Sequence, residues 1–401
     1  MPQRLTHVQN PPDNGIRIGV EALAWNDRSG YGRYCRELVF AATEVSSRYA
    51  MTLVAPDDCA IPGIATVRLA GARSVGNPPR TMRAMLRLRR TMASMPVDMW
   101  FFPSPLNFVP MVSRVPFVIA IHDTIPWRFP ELIFDNHAQR IAWRLKLRAA
   151  MRRATRIVTV SNHARESIAQ RFGLDRERIS IVGEAPAPVF RVCKSAAETS
   201  PLLERLGLPL DARLVVYHGA FSPHKNLPML VDAYARLACE AEFSDVLLVM
   251  VGAPPTSRRE EFENLQRMCR RLARVCFTGA LEDAELARLL NRATVAVLPS
   301  LDEGFGLTGL EAAACGAALI ATQNSALPEV LGEGAIYFDP RAGDALRADL
   351  ARLLSSSEHR AKLRAIALPR IAALSWKKAA AQLIEIFDEI VAAGHVRRAS
   401  M

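Results

Sequence analysis

Short apolar runs separated by segments of helical periodicity recur along almost the whole chain, and no other feature restricts its fold as much. The runs are Ile16–Ala24, Met51–Ala55, Thr66–Leu69, Met99–Phe102, Pro116–Ile121, Ile157–Val160 and Ile179–Val182. After an interruption they resume as Leu214–His218, Val246–Val251, Val275–Thr278, Thr294–Leu298, Ala318–Ala321 and Ile336–Phe338. Runs of this kind suit parallel strands covered on both faces by helices. The interruption, Gly183–Asp211, holds Glu184-Ala185-Pro186-Ala187-Pro188 and a polar stretch. The expected fold class is α/β: two doubly wound, Rossmann-like domains facing across a cleft. The expected boundaries are residues 1–188 and 189–375. The late helix Trp376–Ala392 has no further strand to cover, so 376–401 is expected to return to the first domain. Doubly wound sheets bind ligands at the carboxyl ends of their strands, which makes residues just after strands the candidates for function.

A chain of 401 residues, half of them hydrophobic, is long enough for two such cores. No stretch approaches the roughly 18 to 20 continuous apolar residues that span a bilayer. The start, Met1–Asn14, is polar and contains no apolar core like that of a secretory signal, so a cytoplasmic protein is expected. Seven scattered cysteines without a Cys-x-x-Cys fit reduced thiols better than disulfides or zinc.

The formal charge of +11 calls for an anionic partner. Between Pro79 and Met95, Met85, Leu88, Met92 and Met95 recur at helical spacing beside Arg80, Arg83, Arg87 and Arg90. Between Arg140 and Arg156, Trp143, Leu147, Met151 and Ala154 make one face and Arg140, Arg144, Arg148 and Arg152 another. Basic amphipathic helices rest on anionic lipid, where each basic side chain contributes about 1 kcal/mol. Arg80–Arg90 and Arg140–Arg156 are therefore expected to dock the protein peripherally on the inner face of the cytoplasmic membrane. Either helix alone equally describes an ordinary domain helix with a solvated arginine face. The stripes interleave with Met and Leu rather than stacking aromatics and no recognition module is visible, so nucleic acid is a minor alternative.

The most informative motif is Pro299-Ser300-Leu301-Asp302-Glu303-Gly304-Phe305-Gly306-Leu307-Thr308-Gly309-Leu310-Glu311, directly after an apolar strand. With a helix from Leu307 to Cys315, its glycines lie at a strand-to-helix turn. There, backbone N–H groups and the positive end of the helix dipole suit an anion such as a diphosphate. Glu303 and Glu311 flank the turn, and an ionised carboxylate accepts two hydrogen bonds from a vicinal diol. Two acids beside an anion site suggest a sugar nucleotide. The plainer alternative makes Glu303 a solvated first-turn acid and Glu311 merely exposed.

Gly219-Ala220-Phe221-Ser222-Pro223-His224-Lys225-Asn226 follows the first strand of the second domain and supplies Lys225 as a diphosphate counter-ion. In the first domain, Gly30-Tyr31-Gly32-Arg33 follows the first strand and His122-Asp123 follows Pro116–Ile121. No Asp-x-Asp triplet, no His/Cys cluster with metal-ligand spacing and no Walker pattern occurs. No metal or cofactor is therefore expected, and Lys225, the helix start at Gly304–Leu307 and His224 or Arg33 would neutralise a leaving diphosphate.

Together these residues resemble the retaining family-4 glycosyltransferases of GT-B architecture, the group that includes glycogen synthase-like enzymes and mannosyltransferases. The likeness runs from about Gly19 to Val391 and is most specific at Pro299–Gly316, with two glutamates separated by seven residues around a Gly-Phe-Gly turn. Pro223-His224-Lys225-Asn226, Thr278-Gly279 and Val160-Ser161-Asn162 extend it. His122-Asp123 with Arg128-Phe129-Pro130-Glu131 resembles members acting on cell-surface polysaccharides and lipid-linked sugars. The resemblance implies that Glu311 holds the ribose diol and Lys225 the diphosphate. It also implies that Glu303, with the backbone of Phe305 and Gly306, binds hydroxyls of the donor sugar. The base would sit near Gly279–Leu281. His122 would approach the sugar from the opposite wall, and Gly30, Tyr31, Gly32 and Arg33 would border the acceptor or diphosphate. Many members carry Arg before the lysine, where this chain has His224.

The implied activity is retaining hexosyl transfer, with mannose from GDP-mannose the first choice, onto a lipid-linked or polysaccharide acceptor. Donors with a UDP-hexose or dTDP-rhamnose, and a GT-B epimerase, are the alternatives. The favoured chemistry is front-face attack by the acceptor hydroxyl on an oxocarbenium-like centre, stabilised mainly by electrostatics.

Overall fold

The computed structural model describes residues 15–59, 61–69, 82–109, 115–195 and 198–396, the side chains of 82–84 excepted. The expectations for the polar start and for Arg80 fall outside these residues, as does that for the Arg83 side chain.

Every apolar run becomes a strand. In the first unit these are β1 (Ile16–Glu21), β2 (Tyr49–Pro56), β3 (Ala65–Leu69), β4 (Met99–Phe102), β5 (Phe117–Ala120), β6 (Arg156–Thr159) and β7 (Ile179–Ile181). They form one parallel sheet in the order β3-β2-β1-β4-β5-β6-β7. The second unit holds β8 (Arg213–His218), β9 (Val246–Val251), β10 (Val275–Gly279), β11 (Ala293–Leu298), β12 (Ala318–Thr322) and β13 (Ile336–Phe338). Its parallel order is β10-β9-β8-β11-β12-β13. Both sheets are doubly wound, with chain order reversing between β1 and β4 in one and between β8 and β11 in the other.

Burial explains the strands. Ile18, Val20, Leu53, Phe101, Val118 and Val158 are fully buried in the first sheet, and Val215, Tyr217, Leu248, Val295 and Ile320 in the second. In the second unit these residues merge with Leu230, Tyr234, Leu346 and Leu350 from flanking helices into one core. β1 stops at Glu21, short of Ala24, because the Glu21 carboxylate takes the amide of Leu23 at 2.9 Å and a turn follows.

The chain divides into two compact units. One comprises residues up to Thr124, Phe134–Glu184 and those from Trp376 onward; the other comprises Ile125–Ile133 and Ala185–Ser375. The helix Trp376–Ala392 lies with the first unit: Phe387 stacks near Tyr49 and Phe101, and Asp388 accepts from the Tyr49 hydroxyl at 2.6 Å. Ile125–Ile133 is a difference from the expected boundary. Its two short helical turns, Ile125–Arg128 and Pro130–Ile133, belong to the second unit because Arg128 pairs with Asp302 at 2.7 Å and Arg258 bonds the Glu131 carbonyl at 2.7 Å.

The second arginine-rich segment also needs correction. Its helix is His137–Arg153, started by the Asn136 side chain accepting from the Gln139 amide. Arg156 lies beyond it, as the first residue of β6, and pairs with Glu389 at 2.8 Å. Leu147, Ala150 and Met151 are buried, while Ile141 and Leu145, one turn apart, are 55% and 62% exposed. Among the described residues no helix is long and apolar enough to cross a membrane.

Candidate functional site

β8 and β11 are sheet neighbours although three strand positions apart in the chain, with Val215 opposite Val295 and Val216 opposite Ala296. The loops leaving their carboxyl ends, residues 219–226 and 299–306, are therefore side by side. The amide of Leu301 bonds the carbonyl of His224 at 2.9 Å and stitches the two together. Close backbone approach requires glycine here. A Cβ on Gly252, after β9, would lie 2.2 Å from the Gly219 carbonyl oxygen.

The stitched loops bring Lys225 to Glu303, Nζ to Oε1 at 2.6 Å, with side chains 16% and 11% exposed. Ser300 Oγ donates to the same Oε1 at 2.5 Å, and the Glu303 amide bonds the carbonyl of Asn324 at 2.9 Å. Tyr217 bonds the Ala220 carbonyl at 2.6 Å. Its phenol is raised well above the usual range by burial and then by the charge of Glu303. Gly304, Phe305, Gly306 and Leu307 are buried behind this pair. Gly306 adopts φ of 87° and its carbonyl accepts the first helical bond, from Leu310, of the helix Leu307–Ala314. The first turn of that helix carries no acidic side chain, so its dipole has no local counter-charge of its own.

Glu311 lies in that helix, 3% exposed, and its Oε2 faces His218 Nε2 at 3.2 Å. The reading of Glu311 as merely exposed is thus overturned. So is that of Glu303 as a solvated acid, since it is 9% exposed and ion-paired. His218 was missed from sequence, although as the last residue of β8 it stands at the strand end where ligands bind. Ser300, Asn324 and the Arg128–Asp302 pair were also not singled out as site residues. Asp302 is buried beside Glu303, and Arg128 is its cation.

His224 adjoins Lys225 in the same loop. Burial, and next the neighbouring Lys225 ammonium, lower its pKa from 6.5 to about 3, and its Nδ1 makes no hydrogen bond. The ring is neutral near pH 7. Gly279, with φ of 73° and no atom within 4 Å of a would-be Cβ, and the half-buried Leu281 line the open turn after β10.

In the first unit, His122 is buried just past β5. Its Nε2 contacts the Pro103 carbonyl at 2.8 Å and its Nδ1 lies 3.4 Å from Glu184, itself buried. The rings of Tyr31 and Tyr34 meet it edge-on at 4.9 and 4.5 Å. Tyr31 and His122 are thus brought together as neighbours. Gly30, Tyr31, Gly32 and Arg33 form the first turn of the helix Gly30–Val45. Gly32 is required by packing, because a Cβ would lie 2.0 Å from the Asp27 carbonyl oxygen. Arg33 is 7% exposed.

Among the described residues no group of three or more His, Cys, Asp or Glu side chains converges to hold a metal ion. What the second unit offers is one ammonium, two buried carboxylates and a helix start at a topological switch point. That set suits an anion esterified to hydroxyl-rich groups.

Two family models match this chain: Glycosyl transferases group 1 over residues 201–370 and Glycosyltransferase Family 4 over residues 28–184. The serotype-specific mannosyltransferase WbdA of Escherichia coli is 29% identical over 68% of this chain and 33% of its own length. The chain therefore spans about a third of that relative. The O-antigen chain mannosyltransferase B of Escherichia coli is 28% identical over 67% of this chain and 69% of its own. Among solved structures, Anabaena HepE in complex with UDP and glucose superposes with a TM-score of 0.75 at 17% identity, covering 93% of this chain and 100% of that one. With both doubly wound units matched and the two-glutamate motif built as described, the chain belongs to the glycosyltransferases of the family-4 type with the GT-B fold.

Proposed function

We propose that this chain transfers a hexose from a nucleoside diphosphate donor to a glycan acceptor in cell-surface polysaccharide synthesis. The observation that carries the reading is the Lys225–Glu303 pair, set at the β8/β11 switch point beside the start of the helix that bears Glu311. In this reading Lys225 trades Glu303 for the diphosphate, Glu303 turns to donor-sugar hydroxyls, and Glu311 holds the ribose diol. His218 fixes the Glu311 carboxylate from β8. Lys225 and the helix start neutralise the departing diphosphate without a metal. Electrostatic stabilisation of developing charge is usually the largest catalytic contribution. Front-face attack by the acceptor hydroxyl then retains the anomeric configuration and needs no enzyme nucleophile.

Mannose from GDP-mannose is the first choice of donor, supported by the two mannosyltransferase relatives, and a lipid-linked or polysaccharide glycan is the acceptor. A UDP-hexose is the second reading, favoured by the UDP and glucose named with the HepE structure. The arginine face of the helix His137–Arg153, with Ile141 and Leu145 exposed beside it, supports peripheral docking on the inner face of the cytoplasmic membrane.

A thermal-shift panel of GDP, UDP and dTDP, with and without their sugars, tests the donor, because a ligand bound only by the folded state raises its melting temperature. Glu311→Ala should weaken nucleotide binding by about 10- to 100-fold, the weight of a hydrogen bond to a charged group at about 1.5–3 kcal/mol. Unchanged affinity would remove Glu311 from the ribose, and proton NMR showing inversion at the transferred anomeric carbon would end the retaining mechanism.

A further inference from the structure

The structure gathers part of the second arginine stripe around a pocket. Arg148, Met151 and Arg152 of the helix His137–Arg153 face Arg171 and Phe172 at the end of the helix Asn162–Phe172, with Leu174 and Arg178 from the segment that follows. They line an open surface pocket of about 240 Å³, several water volumes at about 30 Å³ each, and all four arginines are exposed. The lining contains four guanidinium groups and no carboxylate. Of the acids close by in sequence, Glu166 pairs with Arg176, and Asp175 accepts from the amide of Glu177 at 3.0 Å.

The crowding extends along the helix. Arg144 is held below the usual arginine range, first by desolvation and then by the charges of Arg140, Arg171 and Arg148. Like charges gathered this way repel one another in the empty protein, and a bound polyanion relieves the repulsion. The apolar part of the lining, Met151, Phe172 and Leu174, has no use for a free inorganic ion but suits the root of an acyl chain. Ile141 and Leu145 stand exposed on the same helix, and apolar side chains beside a basic face suit a bilayer interface.

We propose that this pocket is a headgroup site for a membrane lipid ending in a dianionic phosphate. The proposal rests on the membrane-docking reading above and adds to it a discrete, saturable site. Guanidinium groups bind phosphate bidentately, and a phosphate monoester carries about −1.5 to −2 charges near pH 7, which matches a four-arginine lining better than a singly charged diester does.

The test is co-sedimentation of the full chain with phosphatidylcholine vesicles containing either phosphatidic acid or phosphatidylserine, matched for surface potential. Tighter binding to the phosphatidic acid vesicles, by about fivefold or more, is expected. Arg171→Gln with Arg178→Gln should abolish that preference, so that binding to the two vesicle types falls to a common, weaker level. Arg140→Gln with Arg144→Gln should weaken both vesicle types alike. Equal binding of the parent chain to both vesicles overturns the pocket site and leaves membrane docking standing, whereas binding to neither overturns docking as well. Pyrophosphate in solution forms a separate arm. If it binds the parent, is lost in the Arg171/Arg178 variant and fails to compete with phosphatidic acid vesicles, the site serves a soluble phosphate and the lipid assignment falls. Melting curves of each variant guard against misfolding, and Arg178→Lys, which keeps the charge but not the fork, should retain an intermediate preference if the double variant is unstable.

Discussion

Lys225 and Glu303 hold each other at 2.6 Å, so a diphosphate that captures Lys225 must break that pair. Glu303→Gln tests this directly. The side chains are only 16% and 11% exposed, so solvent does not screen the pair as it would at the surface. A hydrogen bond to a charged group is worth about 1.5–3 kcal/mol and a neutral one about 0.5–1.5, so the amide lowers the cost of releasing Lys225 by about 1–1.5 kcal/mol. At 1.4 kcal/mol per tenfold, GDP or UDP without its sugar should bind the variant about 5- to 13-fold more tightly than the parent. Removal of a negative charge beside the diphosphate acts in the same direction. Transfer should fall at the same time, because the sugar loses its carboxylate partner. Isothermal titration calorimetry gives the affinities, and adding Lys225→Met should erase the gain. Unchanged or weaker nucleotide binding by Glu303→Gln would refute the idea that Lys225 is shared between the acid and the diphosphate.

Gly306→Ala should destabilise the second unit by about 2–5 kcal/mol, combining about 1–2 for a left-handed φ with about 1–3 for overpacking, since its Cβ would meet Leu327 Cγ at 2.8 Å. A melting curve like the parent's would contradict that geometry. His224 makes the fold acid-sensitive: its pKa is about 3 when folded against an ordinary 6.5, so below pH 6.5 the unfolded chain takes up a proton that the folded one refuses. Stability is fully present above that range and falls as pH drops toward 3, by up to about 1.4 kcal/mol per unit. Urea titrations between about pH 6 and 4 should show a flatter pH slope for His224→Gln, and equal slopes would show that the ring protonates freely. Arg128→Ala leaves the buried Asp302 without its cation, which should cost about 1–3 kcal/mol and lower kcat through the displaced Glu303 loop. Loss of neither stability nor turnover would mean that the pair does not support the loop.

The strands and the motif loops were legible in the sequence because their signals are local. Apolar runs such as Val246–Val251 and Ile336–Phe338 are bounded by turn residues, so their positions follow from the local order of residues. Gly306 announces a strand-to-helix turn, and Glu303 and Glu311 flank it whatever the rest of the chain does. Errors arose where a distant group intervened. Arg156 left the arginine helix for a strand, where it pairs with Glu389, and Ile125–Ile133 joined the second unit through Asp302 and Arg258. Arg33 and His224 looked like ligand cations because their sequence neighbours are glycine, proline and lysine. What those neighbours do not show is that the Arg33 side chain is only 7% exposed and that desolvation lowers the His224 pKa to about 3.

By itself, then, the order of residues determined two doubly wound units and the two acidic side chains around a glycine turn, since periodicity, turn chemistry and helix starts depend on neighbours in the chain. Tertiary structure alone decided which charges face each other. Lys225 with Glu303, His218 with Glu311 and Arg128 with Asp302 meet because β11 lies beside β8 and because a short segment from far upstream packs on the loop between them. Strand order and burial depend on contacts between residues remote in sequence, and those contacts set which side chains are paired, charged or free to bind a ligand.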